Sequence, residues 1–120
     1  MIVYTVQLAK WRTCEKLGIP LLDTTTKSGN PLFAPGWDIV MDVKSNKITP
    51  EQYTEVYLER MRQSYRDNPK AWHDCIAQPT VAVACYCAVG KFCHRHLLVE
   101  IFGKLCKHLQ QPFEYKGELQ

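Results

Sequence analysis

Residues 79–87 read PTVAVACYC, nine positions that carry no charge and are apolar on both alternating faces. A strand with one face in water alternates apolar and polar side chains, whereas a strand covered by helices on both sides has no wet face to show. The stretch therefore predicts a central, doubly covered strand that delivers Cys85 and Cys87 to its carboxyl end. After the turn AVGK at 88–91 comes a segment beginning Cys93-His94-Arg95, with Leu97, Leu98, Ile101, Phe102, Leu105 and Leu109 at helical spacing. Strands joined through helices pair in parallel, so this handover sets the fold class.

Working outward, residues 2–8 form a β-branched and aromatic run of strand length. A short amphipathic stretch through Trp11, Cys14 and Leu17 closes at Gly18, and residues 19–22 make a second apolar run that ends in Asp23, Thr24, Thr25 and Thr26. Residues 27–38, KSGNPLFAPGWD, read as a long loop plugged by Phe33 and Trp37. Thr49, Pro50 and Gln52 give a capping box with proline in the first turn. Tyr53, Val56, Tyr57, Met61 and Tyr65 then recur at helical spacing. Asn68 and Pro69 start another helix carrying Trp72, Cys75 and Ile76, and residues 113–115 offer an edge strand. The expectation is one three-layer, Rossmann-like α/β domain over residues 1–120, with a small, mainly parallel sheet flanked by helices.

At 46% hydrophobic and 22% charged residues, the composition excludes a disordered chain and a membrane span. The start has neither the basic flank nor the long apolar segment of a signal peptide, which points to a cytoplasmic protein. In that reducing setting the six cysteines read as core residues, metal ligands or reactive thiols rather than a disulfide framework. Cys14, Cys75 and Cys106 fall on apolar helix faces and read as core. A net charge of +3 permits an anionic partner, yet it is weaker than the clustered basic charge of most nucleic-acid binders.

Ligands of open parallel sheets sit beyond the carboxyl ends of the strands. Three features converge there: Asp23 with the threonines, the loop through Lys27 and Ser28, and residues 87–95. Cys93 stands four positions before Leu97 and His94 four before Leu98, so both point toward the sheet, whereas His96 shares the polar stripe of Glu100 and Lys107. Free N–H groups at a helix start favour a thiolate, which makes Cys93 the candidate nucleophile and His94 its base or orienting donor. Arg95 wants an anion or a carboxylate, and Asp23 is one such partner. Cys85, Cys87, Cys93 and His94 have zinc-ligand chemistry, but Cys85 and Cys87 on one face of a straight strand lack the turn spacing of structural zinc sites. The sequence therefore assigns no metal and no cofactor.

The segments GIPLLDTTTKSGNPLFAPGWD, YRDNPKAW, VAVACYCAVGKFCHRHLLVEIF and the terminal FEYKGE together resemble the domain of unknown function family 488, found in bacteria and phages. The resemblance spans nearly the whole chain. In that family an aspartate after the second strand and a basic, serine-containing loop accompany a Cys-His-Arg opening of the last helix. Asp23, Lys27, Ser28, Cys93, His94 and Arg95 match those positions. The resemblance implies a three-layer α/β fold with a polar pocket at the strand ends, and it supplies no reaction.

Two function classes follow. In the first, Cys93, His94 and Asp23 act on a nucleotide-like or phosphorylated ligand that Arg95, Lys91, Ser28, Lys27, Thr25, Cys87 and Trp37 bind. In the second, the chain is a non-catalytic phage or mobile-element module that sequesters a host protein or a signalling nucleotide.

Overall fold

The computed structural model describes residues 1–86 and 93–120. Its strands are β1 (Ile2–Gln7), β2 (Leu21–Asp23), β3 (Thr80–Cys85) and β4 (Glu114–Leu119). They form one sheet in the order β2-β3-β1-β4, with every neighbouring pair parallel. Helices α1 (Trp11–Leu17), α2 (Trp37–Lys44), α3 (Pro50–Asp67), α4 (Pro69–Ile76) and α5 (His94–His108) pack around it. The α/β expectation holds, and β3 lies inside the sheet as its composition required.

Side-chain alternation divides the core. Val81 and Val83 of β3 join Val3 of β1 in a large cluster with Phe33, Tyr57, Trp72, Leu98 and Phe102. Ala82 and Ala84, with Val6, face the other way onto Cys14 of α1. Cys85 has the parity of Val81 and Val83, so its sulfur emerges on the α5 side of the sheet. Trp72 is fully buried and meets the edges of Phe33 and Phe102 at centroid distances of 4.8 and 5.8 Å. Truncating so large a buried ring costs roughly 3–5 kcal/mol in general.

Helix α3 begins as its sequence dictates: Thr49 accepts from the Gln52 backbone N–H, and the Gln52 side chain accepts from the Thr49 N–H. Helix α2 is a correction, because the sequence reading left residues 39–44 unassigned and kept Trp37 and Asp38 in the loop. Its N-cap, Gly36, offers no side-chain cap, so the usual start signal is missing. Val56 and Leu109, read as core-facing, are exposed, Leu109 because it lies at the C-cap of α5. The edge strand runs over Glu114–Leu119, later than the expected 113–115.

The long loop is anchored to α3. The Tyr57 hydroxyl donates to the Phe33 carbonyl and Ser64 Oγ to that of Leu32, both at 2.8 Å. Arg60 pairs with Asp38 and donates to the Pro35 carbonyl. That guanidinium holds the Asp38 carboxyl down at about 2.

Candidate functional site

The end of β2 and the start of α5 are stitched together at Thr24. Its hydroxyl donates to the Ala84 carbonyl at 2.8 Å, so toward the His94 imidazole it presents only lone pairs. His94 Nε2 lies 2.9 Å from that hydroxyl and 2.9 Å from the Thr24 carbonyl. Two acceptors facing one nitrogen fix the tautomer: Nε2 carries the proton, and Nδ1 keeps a lone pair. Nδ1 points at Cys93 Sγ, 3.7 Å away. Burial is the main cause that pushes the His94 pKa down to about 4, with Arg95 adding to it, so the ring is neutral at pH 7.

Cys93 is the N-cap of α5, with an extended backbone at φ −156° and ψ 146°. This places its sulfur over the face of β3 from which Cys85 emerges, and the structure joins Cys85 to Cys93 as a disulfide. The expectation that no cysteines pair is corrected here. The two residues end adjoining elements on one face, a proximity that their separation of 8 in sequence does not reveal. Cys14 and Cys106 are buried and Cys75 is half-buried, all three as free thiols.

Arg95 is fully buried, and the carboxylate it pairs with is Glu118 rather than the expected Asp23. Nε and Nη2 donate to Glu118 of β4 at 3.2 and 3.1 Å, and Nη1 donates to Cys85 Sγ at 2.8 Å. Among the described residues, Glu118 thus answers its charge from the sheet edge. Asp23 turns inward on its own loop: Oδ1 accepts from the Thr25 N–H and hydroxyl at 2.9 and 2.7 Å, and Oδ2 from Ser28 Oγ at 2.7 Å. Asp23 and Ser28 thus shape the loop, and the Asp23 carboxylate also acts electrostatically on His94. Cys87 and Lys91 lie outside the described residues.

Above this cluster opens a cavity of about 580 Å³, with Cys85, Cys93 and His94 in its wall beside Thr25 and Lys27. Trp37 and Tyr86 stand half-exposed on its rim, and Tyr53 and Lys44 complete the opposite side. Cys93, His94, Thr25, Lys27 and Trp37 are thus brought together as the sequence proposed. Lys44, Tyr53, Tyr86 and Glu118 were not read as site residues. Glu118 had a signal, since a first-turn arginine that demands a carboxylate has a candidate in the terminal FEYKGE.

The family model DUF488-N3a, described as the active DUF488-N3 subclade, matches residues 18–105. The chain belongs to this DUF488 family. The matched region holds Asp23, both bonded cysteines, His94 and Arg95, and stops before the strand that supplies Glu118. No curated protein and no solved structure matches the chain. The subclade label "active", together with the buried Cys85, Cys93 and His94 group, hints at catalysis without naming a reaction. Among the described residues, no helix is long and apolar enough to cross a membrane.

Proposed function

We propose that this DUF488 domain is a Cys93/His94-dependent enzyme acting on a nucleotide-like or otherwise phosphorylated small molecule seated in the cavity. The observation that carries the reading is the unprotonated Nδ1 of His94 facing Cys93 Sγ at 3.7 Å in the cavity wall. Once a dithiol reductant has opened the Cys85–Cys93 bond, itself becoming a disulfide, Nδ1 accepts the Cys93 thiol proton as the sulfur attacks an electrophilic carbon. The bond to the leaving group breaks, the leaving group takes the proton back from Nδ1, and water then attacks the Cys93 adduct, releasing the product and restoring the thiol. Trp37 and Tyr86 supply stacking faces for a ring, and Lys27 and Lys44 supply positive charge for a phosphate. The volume is in the range of about 300–1,000 Å³ typical of small-molecule sites.

The test is a thermal-shift series with nucleoside mono- and diphosphates on the reduced protein. A rise in Tm that disappears in Lys44→Ala and Trp37→Ala supports the reading. No rise with any nucleotide, or an equal rise in both variants, removes the nucleotide-like ligand.

A second reading, the silent module that sequesters a host protein or signalling nucleotide, is favoured by the disulfide, which occupies the Cys93 sulfur. It predicts ligand binding that is indifferent to reduction and to Cys93→Ser.

A further inference from the structure

We propose that Cys85, Cys93 and His94 form a zinc-class divalent metal site in the cavity wall, with the two Sγ atoms and His94 Nδ1 as its ligands among the described residues. The three candidate ligand atoms lie within 4.8 Å of one another, and all three residues are buried. A tetrahedral ion bound at about 2.3 Å from sulfur and about 2.1 Å from nitrogen sets a sulfur-to-nitrogen edge of ~3.6 Å. Cys93 Sγ and His94 Nδ1 already stand at 3.7 Å.

The surroundings fit a bound cation. A histidine ligand generally donates its other ring N–H to a carbonyl or carboxylate, which locks the ring with its lone pair toward the ion. Thr24 does this for His94. Arg95 Nη1 donates to Cys85 Sγ at 2.8 Å, a contact that favours the thiolate form a metal needs. The Cα atoms of Cys85 and Cys93 are 7.5 Å apart, beyond the range of about 4.4–6.8 Å that disulfides usually span. A backbone held at that width leaves room for two sulfurs ~3.8 Å apart on a common ion.

Charge balance points to the same class of ion. Two thiolates cancel a divalent cation, and among the described residues Glu118 answers Arg95, which limits the net charge that these groups bury. Two sulfurs and one imidazole suit zinc and its neighbours rather than magnesium or calcium, which want oxygen.

Loading needs the reduced chain. A dithiol reductant supplies two electrons and two protons, the S–S bond breaks, and the reductant becomes a disulfide; metal entry then releases both thiol protons to solvent. The inference stands apart from the thiol chemistry proposed above: with the ion in place Cys93 Sγ and His94 Nδ1 are ligands, so a nucleophilic Cys93 belongs to the reduced, metal-free chain.

The experiment is a cobalt(II) titration of the whole chain, reduced with a phosphine and desalted without oxygen. The expected result is thiolate-to-cobalt charge-transfer absorption with the intense visible bands of four-coordinate cobalt. These bands saturate at one ion per chain and bleach on adding zinc, which also raises Tm. Cys85→Ser, Cys93→Ser and His94→Gln each weaken binding by at least ~10-fold, while Cys106→Ala leaves the spectrum unchanged; circular dichroism checks that each variant is folded. A folded, reduced wild-type chain without the charge-transfer band overturns the site, as does a band that persists in the Cys85→Ser/Cys93→Ser double variant. A chain that refuses cobalt yet still shows the nucleotide-dependent rise in Tm loses the metal site alone. One that binds cobalt but no nucleotide loses the proposed function alone.

Discussion

Arg95 and Glu118 meet as a two-point ion pair beneath the candidate site, with the guanidinium fully buried and the carboxylate side chain 14% exposed. The pair ties the first turn of α5 to the last strand. It thereby fixes the helix whose N-cap is Cys93 against the sheet edge that presents Cys85.

Removing Glu118 leaves a buried positive charge without its carboxylate. Glu118→Ala is expected to lower unfolding free energy by roughly 3–5 kcal/mol, the usual cost of breaking a buried pair from one side. Urea denaturation measures it, and a loss below about 1 kcal/mol would place the pair among weak surface bridges.

His94 makes stability depend on pH in a defined direction. Its folded pKa of about 4 lies below the ordinary 6.5, so the unfolded chain binds the proton more readily across that interval. Stability is complete above about pH 6.5 and falls as pH drops toward 4; below that both states are protonated and the slope vanishes. The loss is on the order of 3 kcal/mol. His94→Gln in the reduced, metal-free protein should flatten this part of the curve, and an unchanged slope would show that another group is responsible.

Gly29 is required by contact. A Cβ there would stand 2.5 Å from the Asp23 carbonyl oxygen and the Thr25 nitrogen and 2.6 Å from the Thr25 carbonyl oxygen. Backbone atoms cannot swing aside as a side-chain tip can, so Gly29→Ala must open the loop that Asp23 and Ser28 close. The expected cost is about 1–3 kcal/mol, with weaker nucleotide-dependent stabilisation. A variant as stable as wild type would mean that the loop has slack.

The fold was legible where local signals agreed with long-range packing. The two-faced apolar strand at 80–85, the Thr49–Gln52 capping box and the helical repeat after His94 each state their structure in adjacent residues. Helix α2 was not legible, because its glycine cap carries no side-chain signature. At the site, the convergence of Cys93, His94 and the threonine loop could be read from strand ends. The Cys85–Cys93 bond and the Arg95–Glu118 pair could not, since both depend on which face and which edge of the sheet a residue occupies. The loop contacts of Asp23 were not legible for a similar reason: its carboxylate takes its donors from Thr25 and Ser28 rather than from Arg95.

The Tyr57 hydroxyl links α3 to the cavity loop through the Phe33 carbonyl. Tyr57→Phe strands that buried acceptor, for an expected loss of about 1–3 kcal/mol. Hydrogen exchange should report faster opening around residues 30–36. Unchanged protection there would assign the loop's order to Arg60 and Ser64 instead.

The most direct test of the Cys93–His94 pair is the alkylation rate of each cysteine in the reduced, metal-free protein, read by peptide mapping near neutral pH. Burial raises the Cys14 and Cys106 thiols and pushes Cys75 to about 11, so these three should be slow. Cys93 is expected to react fastest among them and to slow by roughly 10-fold or more in His94→Gln. A Cys93 no faster than those core thiols, or one whose rate ignores the loss of His94, would contradict the account.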